Sequence, residues 1–386
     1  MTSTAVAPAL ALPALASSTL FTPITLGPLT LPNRIMISPM CQYSAQEGNA
    51  GDWHVTHLGS LAISGAGLLC LEASAVCPEG RITYGDLGLY SDDNEAALKH
   101  VVRALRVVSA IPLAIQLSHA GRKASSRAPW DGGSLIELAD GGWQPQAPSA
   151  LPHKAGEAPP HAMTEANIKH VIKDFAEAAT RARRLGFDAI ELHVAHGYLL
   201  HEFLSPIANQ RDDQYGGSLE NRMRLPLAVL AAVKEAAGPG IAVGARLSAC
   251  DWVEGGWDIA ESIVFCQQLE AHGCAFIDVS SGGVSPAQKI PTGPGYQVHL
   301  AEQIKRAVTM PVITVGLITE AAQAEQIIAD GRADMVALAR GFLNDPRWPW
   351  RAATQLGGTV QAPQQFWRCL PGGSPPIFGE IRIGQR

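Results

Sequence analysis

The sequence predicts an α/β protein built as a (β/α)8 TIM barrel, with an N-terminal hairpin and extended loops after strands three and four. Three observations carry this. Eight short apolar runs each end in polar or glycine-rich residues. Most are followed by a helix-length stretch. Hydrophobicity within the runs is continuous rather than alternating, the mark of strands buried on both faces. A chain of 386 residues is long for one domain but ordinary for such a barrel carrying insertions. Barrels of this kind keep their chemistry in the loops just past the strand ends.

Residues 1–19, rich in Ala, Pro, Ser and Thr, read as a disordered extension. The first basic residue is Arg34, so the basic n-region of a signal peptide is lacking. Phe21–Pro32 reads as a hairpin turning at Gly27-Pro28 and placed to close the barrel bottom. Strands one to three are Arg34–Ser38 (RIMIS), Leu68–Ala73 (LLCLEA) and Leu113–Leu117 (LAIQL). The Gly-, Pro- and Trp-rich connection from Gly121 to His161 is long enough to be a lid or substrate wall. Helix three begins at Thr164, with Ile168, Val171, Ile172, Phe175 and Ala179 at helical spacing. Strand four is Asp188–His193 (DAIELH), and a second enlarged loop, Gly197–Arg222, follows it. Strands five to eight are Ile241–Arg246, Ala275–Val279, Pro311–Val315 and Asp334–Leu338. The barrel domain is set at 20–353, and 354–386 at an irregular tail.

Composition narrows the partners. With 47% hydrophobic and 17% charged residues the chain has ample core. A formal charge of −6 without a basic tract argues against nucleic acid and anionic membrane surfaces. No apolar run approaches the roughly 20 residues of a membrane helix. Seven cysteines without a CxxC pair argue against a disulfide framework or an iron–sulfur cluster, and a reducing, cytoplasmic setting fits best.

The strand ends hold the candidate chemistry. Strand one runs into Ser38-Pro39-Met40-Cys41-Gln42-Tyr43, where Cys41 is a nucleophile, a redox modulator or a small buried apolar residue. Gln116, near the end of strand three, offers an amide donor and acceptor suited to a heterocycle edge. Arg246, ending strand five, faces an anion or a structural ion pair, with ligand contact favoured. After strand four, His193 and His196 can converge on one oxygen and Tyr198 can give a proton. The competing readings are a metal pair with Glu191 or Glu202, as in a metal-dependent barrel hydrolase, and two structural histidines. Gly316 after strand seven and Ala339-Arg340-Gly341 after strand eight mark the usual phosphate site of these barrels. No strand end offers a Schiff-base lysine; Lys123 lies in a loop. A phosphate at one side of the rim and a polar heterocycle over its centre outline a barrel holding FMN.

These segments resemble the old yellow enzyme family of flavin-dependent ene-reductases, and within it the bacterial thermophilic-like subclass. The resemblance runs from about Leu20 to Ala353, with a short match at Gln365–Arg368. It rests on SPMCQYSA from Ser38, WHVTHLGSLA from Trp53, IQLSHAGRKAS from Ile115, IELHVAHGYLLHEFLSP from Ile190, NQRDDQYGGSLENR from Asn209 and ALARGFLNDP from Ala337. Cys41, where other subclasses carry Thr, points to the subclass.

The resemblance implies that Ser38, Pro39, Met40 and Cys41 contact the flavin from below, the thiol tuning its potential. It implies that Ala73 and Gln116 hold the pyrimidine side, Arg246 the N1/O2 region, and Gly316, Ala339 and Arg340 the phosphate. His193 and His196 then bind the substrate oxygen, Tyr43 lines the same pocket, and Tyr198 donates the proton. NADPH or NADH is the implied reductant, and an α,β-unsaturated carbonyl or nitro compound the oxidant, in ping-pong turnover. The family's C-terminal arginine, here Arg368, reaches a neighbouring subunit's site, which implies a homodimer or homotetramer. A tyrosine often precedes that arginine by two positions; this chain has Phe366.

Overall fold

The computed structural model describes residues 18–381 and 384, so positions 1–17 of the N-terminal extension lie outside it. The barrel strands are β1 (Ile35–Ile37), β2 (Leu68–Ala75), β3 (Leu113–Ser118), β4 (Ala189–Val194), β5 (Ala242–Ser248), β6 (Ile277–Ser280), β7 (Val312–Thr314) and β8 (Met335–Leu338). They pair in parallel, in sequence order, and β8 returns to β1 to close the cylinder. The helices α1 (Asp52–Ala62), α2 (Asp92–Val108), α3 (Glu165–Leu185), α4 (Leu219–Ala237), α5 (Ile259–Ala271), α6 (Val298–Lys305), α7 (Ala321–Ala329) and α8 (Trp348–Leu356) alternate with them. Side chains of Ser91, Thr164, Ser218 and Asp258 accept backbone N–H bonds at the starts of α2, α3, α4 and α5. Each such cap is worth about 1 kcal/mol.

The continuous apolar runs conceal a period of two. Ile115, Leu117, Ile190, Leu192, Ile277 and Val279 join the core beneath the helices. Their alternates face the lumen, as a pleated strand requires. At the bottom these are small or apolar: Ala114, Ala189, Ala242 and Phe276, packed with Leu26 and Leu31. Those two leucines come from the antiparallel ribbon Ile24–Leu26/Leu29–Leu31, which plugs the cylinder as the hairpin reading expects. A Cβ at Gly244 would lie 2.5 Å from the Phe276 ring, so the missing side chain on β5 makes room for that ring. One layer up the lumen turns polar, with Gln116, Glu191, Arg246 and Asp278 all buried.

The strand and helix-three boundaries agree with the sequence to within two residues. The loop Gly197–Arg222 does not extend that far. It contains a helix, Leu199–Leu204, and α4 already begins at Leu219. The polar run Glu220-Asn221-Arg222 reads as loop but is a first helical turn. Ser218 caps it, and the buried Arg222 pairs with Glu261 and lies 5.7 Å from the Trp257 ring. The lid Gly121–His161 is organised by short 3-10 turns and by Gln146–Ala147 pairing with His161–Ala162. Ser18 Oγ and the Thr19 N–H, still in the extension as read from sequence, both donate to Glu325, at 2.5 and 2.7 Å. The tail folds back: Val360 N–H donates to the Ile377 carbonyl at 2.8 Å. Phe366 and Phe378 meet Trp350 edge-on at 5.5 and 5.0 Å. Among the described residues no helix is long and apolar enough to cross a membrane.

Candidate active site

β4 delivers His193 to the rim, and the chain then turns sharply through His196 and Gly197, whose φ angles are 60° and 71°. This turn folds three aromatic groups onto one another. The His193 ring lies 5.2 Å from His196 and 4.7 Å from Tyr198, edge-on to both. A Cβ at Gly197 would come 2.3 Å from the Gly283 carbonyl oxygen, so this position needs glycine twice over. The turn is held from several sides. His196 N–H donates to Ser248 Oγ at 2.9 Å, and Lys123 Nζ donates to the His196 and Gly283 carbonyls, each at 2.8 Å. His201 Nδ1 accepts the Gly197 N–H at 2.9 Å, while its Nε2 faces buried Asp251 at 2.9 Å.

The protonation states follow. Ala195 N–H donates to His193 Nδ1 at 3.3 Å, which leaves the ring's proton on Nε2. Burial and then the Arg246 charge drive both His193 and His196 well below the ordinary histidine range, so both are neutral. His196 Nε2 lies 2.7 Å from Ser280 Oγ, a partner able to give or take a proton. Burial, with Cys41, Tyr43 and Asp86 nearby, raises Tyr198 well above the usual phenol value. Cys41 is likewise pushed up, by burial and then by Asp86 and Glu72, and stands as a thiol. Two neutral imidazoles and one retained phenolic proton therefore share a pocket.

Below them, Gln116 Nε2 donates to Glu191 Oε1 at 2.7 Å. Arg246 Nη1 pairs with Asp278 Oδ2 at 3.1 Å across neighbouring strands. Sequence weighed ligand contact against an ion pair for Arg246; the structure shows the ion pair, and Arg246 also lines a rim cavity of about 210 Å³. At the other end of that cavity stand Gly316, Ala339 and Arg340. Gly316 has a φ of 132° and brings its backbone against Tyr296 and Gln297. Among the described residues, buried Arg246 Nε, Thr314 Oγ1 and Ser38 Oγ lack partners. Bare backbone beside a guanidinium suits a phosphate, and orphaned polar groups with a second guanidinium suit the edge of a polar ring. These residues fit a flavin mononucleotide.

The structure brings together His193, His196, Tyr198, Tyr43 and Cys41, the last three around Ile82 and Ala120. It joins Arg246, Gly316, Ala339 and Arg340 in one cavity, and pairs Ala73 with Gln116 in the β2–β3 ladder. Pro39 and Met40 are half-buried beside Ser38. Arg368 is not with them: it is exposed and donates to the Gly384 carbonyl at 3.0 Å. Among the described residues no three His, Cys, Asp or Glu side chains converge as metal ligands. Sequence reading missed the working roles of Lys123, His201, Asp251, Asp278 and Ser280. Only His201 carried a signal, as a third histidine five residues after His196.

A roomier cavity, about 750 Å³, opens at the opposite end beside Pro32, Pro112 and Val360. Among the described residues no titratable side chain lines it.

Comparison with known proteins identifies the family. Residues 19–358 match the model of the NADH:flavin oxidoreductase / NADH oxidase family. The chain is 42% identical over 354 residues to an NADPH dehydrogenase of Geobacillus thermodenitrificans, covering 91% of this chain and 98% of that protein. It is 43% identical over 352 residues to an NADPH dehydrogenase of Bacillus licheniformis, covering 90% and 98%. Among solved structures, morphinone reductase in complex with tetrahydroNAD superposes with a TM-score of 0.74 at 31% identity, over 89% of this chain and 92% of that one. A 2-naphthoyl-CoA reductase complex gives 0.79 at 26% identity, over 87% of this chain but only 52% of the other.

Proposed function

Because the chain belongs to the NADH:flavin oxidoreductase / NADH oxidase family, the old yellow enzymes, we propose that it is an FMN-dependent ene-reductase acting on α,β-unsaturated carbonyl or nitro compounds. The observation that carries this reading is the meeting of His193, His196 and Tyr198 at the barrel rim, the His193 ring 5.2 Å from His196 and 4.7 Å from Tyr198.

The chemistry supplied by bound FMN is hydride transfer, from a reduced nicotinamide and then to the β-carbon of an activated alkene. Gly316, Ala339 and Arg340 would hold the phosphate. Arg246 would supply positive charge beside the ring, and Ala73, Gln116 and Ser38 to Cys41 would line its bed. His193 and His196 donate hydrogen bonds to the substrate's carbonyl or nitro oxygen. Those bonds withdraw electron density and expose the β-carbon to attack. Tyr43 walls the same pocket. Tyr198 gives its Oη proton to the α-carbon, and burial of the resulting anion favours its prompt reprotonation from solvent. One pocket receives both reductant and alkene, so kinetics are ping-pong.

The purified protein is expected to be yellow, to bleach anaerobically with NADPH or NADH, and to recover its colour with cyclohexenone. Protein that stays colourless and inert after FMN is added sinks the proposal. The His193→Ala/His196→Ala variant should keep its flavin but lose the charge-transfer band of bound phenol and about a hundredfold or more in kcat/KM for the alkene.

We further propose that Arg368 completes the pocket of a second copy, which its exposure in a single chain supports. Light scattering should give a dimer or tetramer, and Arg368→Ala should raise the alkene KM several-fold. A monomer with unchanged KM excludes this. The seven free thiols support a reducing, cytoplasmic setting.

A further inference from the structure

Behind Tyr43 and Tyr198 a second cavity, about 160 Å³, opens under the lid. Its charge is one-sided. Arg122, Lys123, Arg127 and Lys154 all line it. Among the described residues none of the four pairs with a carboxylate at ion-pair distance. Arg122 spends its two terminal nitrogens on the carbonyls of Leu151, Pro152 and Val284, and its Nε is buried without a partner. Lys123 bonds the carbonyls of His196 and Gly283. Arg127 and Lys154 are exposed residues of the lining.

The single carboxylate on the lining, Glu157, is engaged with backbone, its Oε2 accepting the Lys154 N–H at 3.0 Å. Glu202 lies deeper and accepts the Arg122 N–H at 2.8 Å. His153 shares the cavity with a buried, unpartnered Nδ1, and burial together with Lys123, Arg122 and Lys154 pushes it down to about 3. It stays neutral, as an extra polar contact rather than a charge. Four cations against the one carboxylate of Glu157 leave the cavity net positive, and cations that converge partly out of water repel one another unless an anion joins them. Ile82, Leu135 and Pro129 add an apolar part to the lining.

We propose that this cavity binds an anionic oxygen group, a carboxylate or a phosphate monoester, carried on a molecule whose reacting end lies between His193 and His196. The inference rests on the ene-reductase reading for where that reacting end sits. Arg127 and Lys154 make the adjustable contacts, while Arg122 and Lys123 set the local potential from within. One chemistry has two possible bearers: an alkene substrate with an acidic substituent, or a nicotinamide dinucleotide with its extra phosphate.

The test uses the holoenzyme and the double variant Arg127→Gln/Lys154→Gln, both positions being exposed and outside the catalytic group. Calorimetric titration compares (4-hydroxyphenyl)acetate with 4-ethylphenol, whose phenol ends are alike and whose tails differ in charge. The wild type should favour the acid, and the double variant should lose about tenfold in that preference with 4-ethylphenol unchanged. Raising ionic strength should shrink the preference in the wild type alone. Stopped-flow reduction by NADPH and NADH separates the bearers. A slower NADPH reaction in the variant, with NADH unchanged, assigns the anion to the dinucleotide. Unchanged rates with a lost acid preference assign it to the substrate. If the variant leaves the acid preference and both reduction rates unaltered, the cavity is not an anion site. The titration needs no turnover, so a protein that binds the acid through these residues yet reduces no alkene would retain this site while the ene-reductase reading fell.

Discussion

At the scale of single residues, Tyr198 carries the most specific role. A phenol raised by burial and by neighbouring Cys41, Tyr43 and Asp86 keeps its proton at neutral pH. It can act only where a carbanion-like centre takes that proton as it forms. Tyr198→Phe removes the proton but keeps the edge-on ring against His193. Reduction by the nicotinamide should then run at the wild-type rate, while alkene reduction slows by about 10- to 100-fold, solvent serving as the slower donor. Single-turnover measurements of the two half-reactions decide it, and equal slowing of both would contradict the role. Cys41 is the contrasting case. Its raised titration leaves a thiol rather than a thiolate, so the nucleophile reading gains nothing from its surroundings.

At the scale of elements, the tight turn after β4 is the decisive piece. Gly197→Ala places a methyl group against the Gly283 carbonyl, 2.3 Å away, at a φ of 71°. Gly217 has a φ of 76° but open space around it, so Gly217→Ala measures backbone strain alone. That control should cost about 1 kcal/mol, and Gly197→Ala about 3 kcal/mol or more together with loss of phenol binding. Equal thermal shifts for the two would show that the contact does not matter. This turn also marks the limit of what sequence conveys. The strands are legible because each is apolar on its helix-facing side and bounded by polar residues. His193, Arg246, Gly316 and Arg340 are legible because polar groups at strand ends break that pattern. The partners that hold them come from elsewhere in the chain. Lys123 reaches His196 from 73 residues away, and Asp278 meets Arg246 only through the register of β5 and β6. The helix Leu199–Leu204 was hidden for a different reason, since six residues are too few to display a helical period.

At the scale of the whole molecule, the two enlarged loops are joined through a titratable contact. Glu202, in the loop after β4, accepts the Arg122 N–H of the lid after β3, and burial pushes its carboxyl up to about 8 from an ordinary 4.5. The folded protein therefore prefers Glu202 neutral. Its contribution is fully present below pH 4.5 and is lost as pH rises through about 8, because the unfolded chain releases that proton first. Histidines act in the opposite direction. His119, pushed down to about 4 from 6.5, stabilises the fold above pH 6.5, and that contribution is lost as pH falls through 4. Glu202→Gln keeps an oxygen acceptor for the Arg122 N–H and removes only the alkaline loss. Lys123, itself down at about 8, is shedding its charge over the same range and does not compensate. The variant should match the wild type in thermal stability at pH 4 and exceed it at pH 9, by about 1–3 kcal/mol or a few degrees. The acid arm of the curve should be unchanged. An equal difference at both pH values would mean that Glu202 is ionised in the folded protein, and that the lid is held by charge rather than by a neutral hydrogen bond.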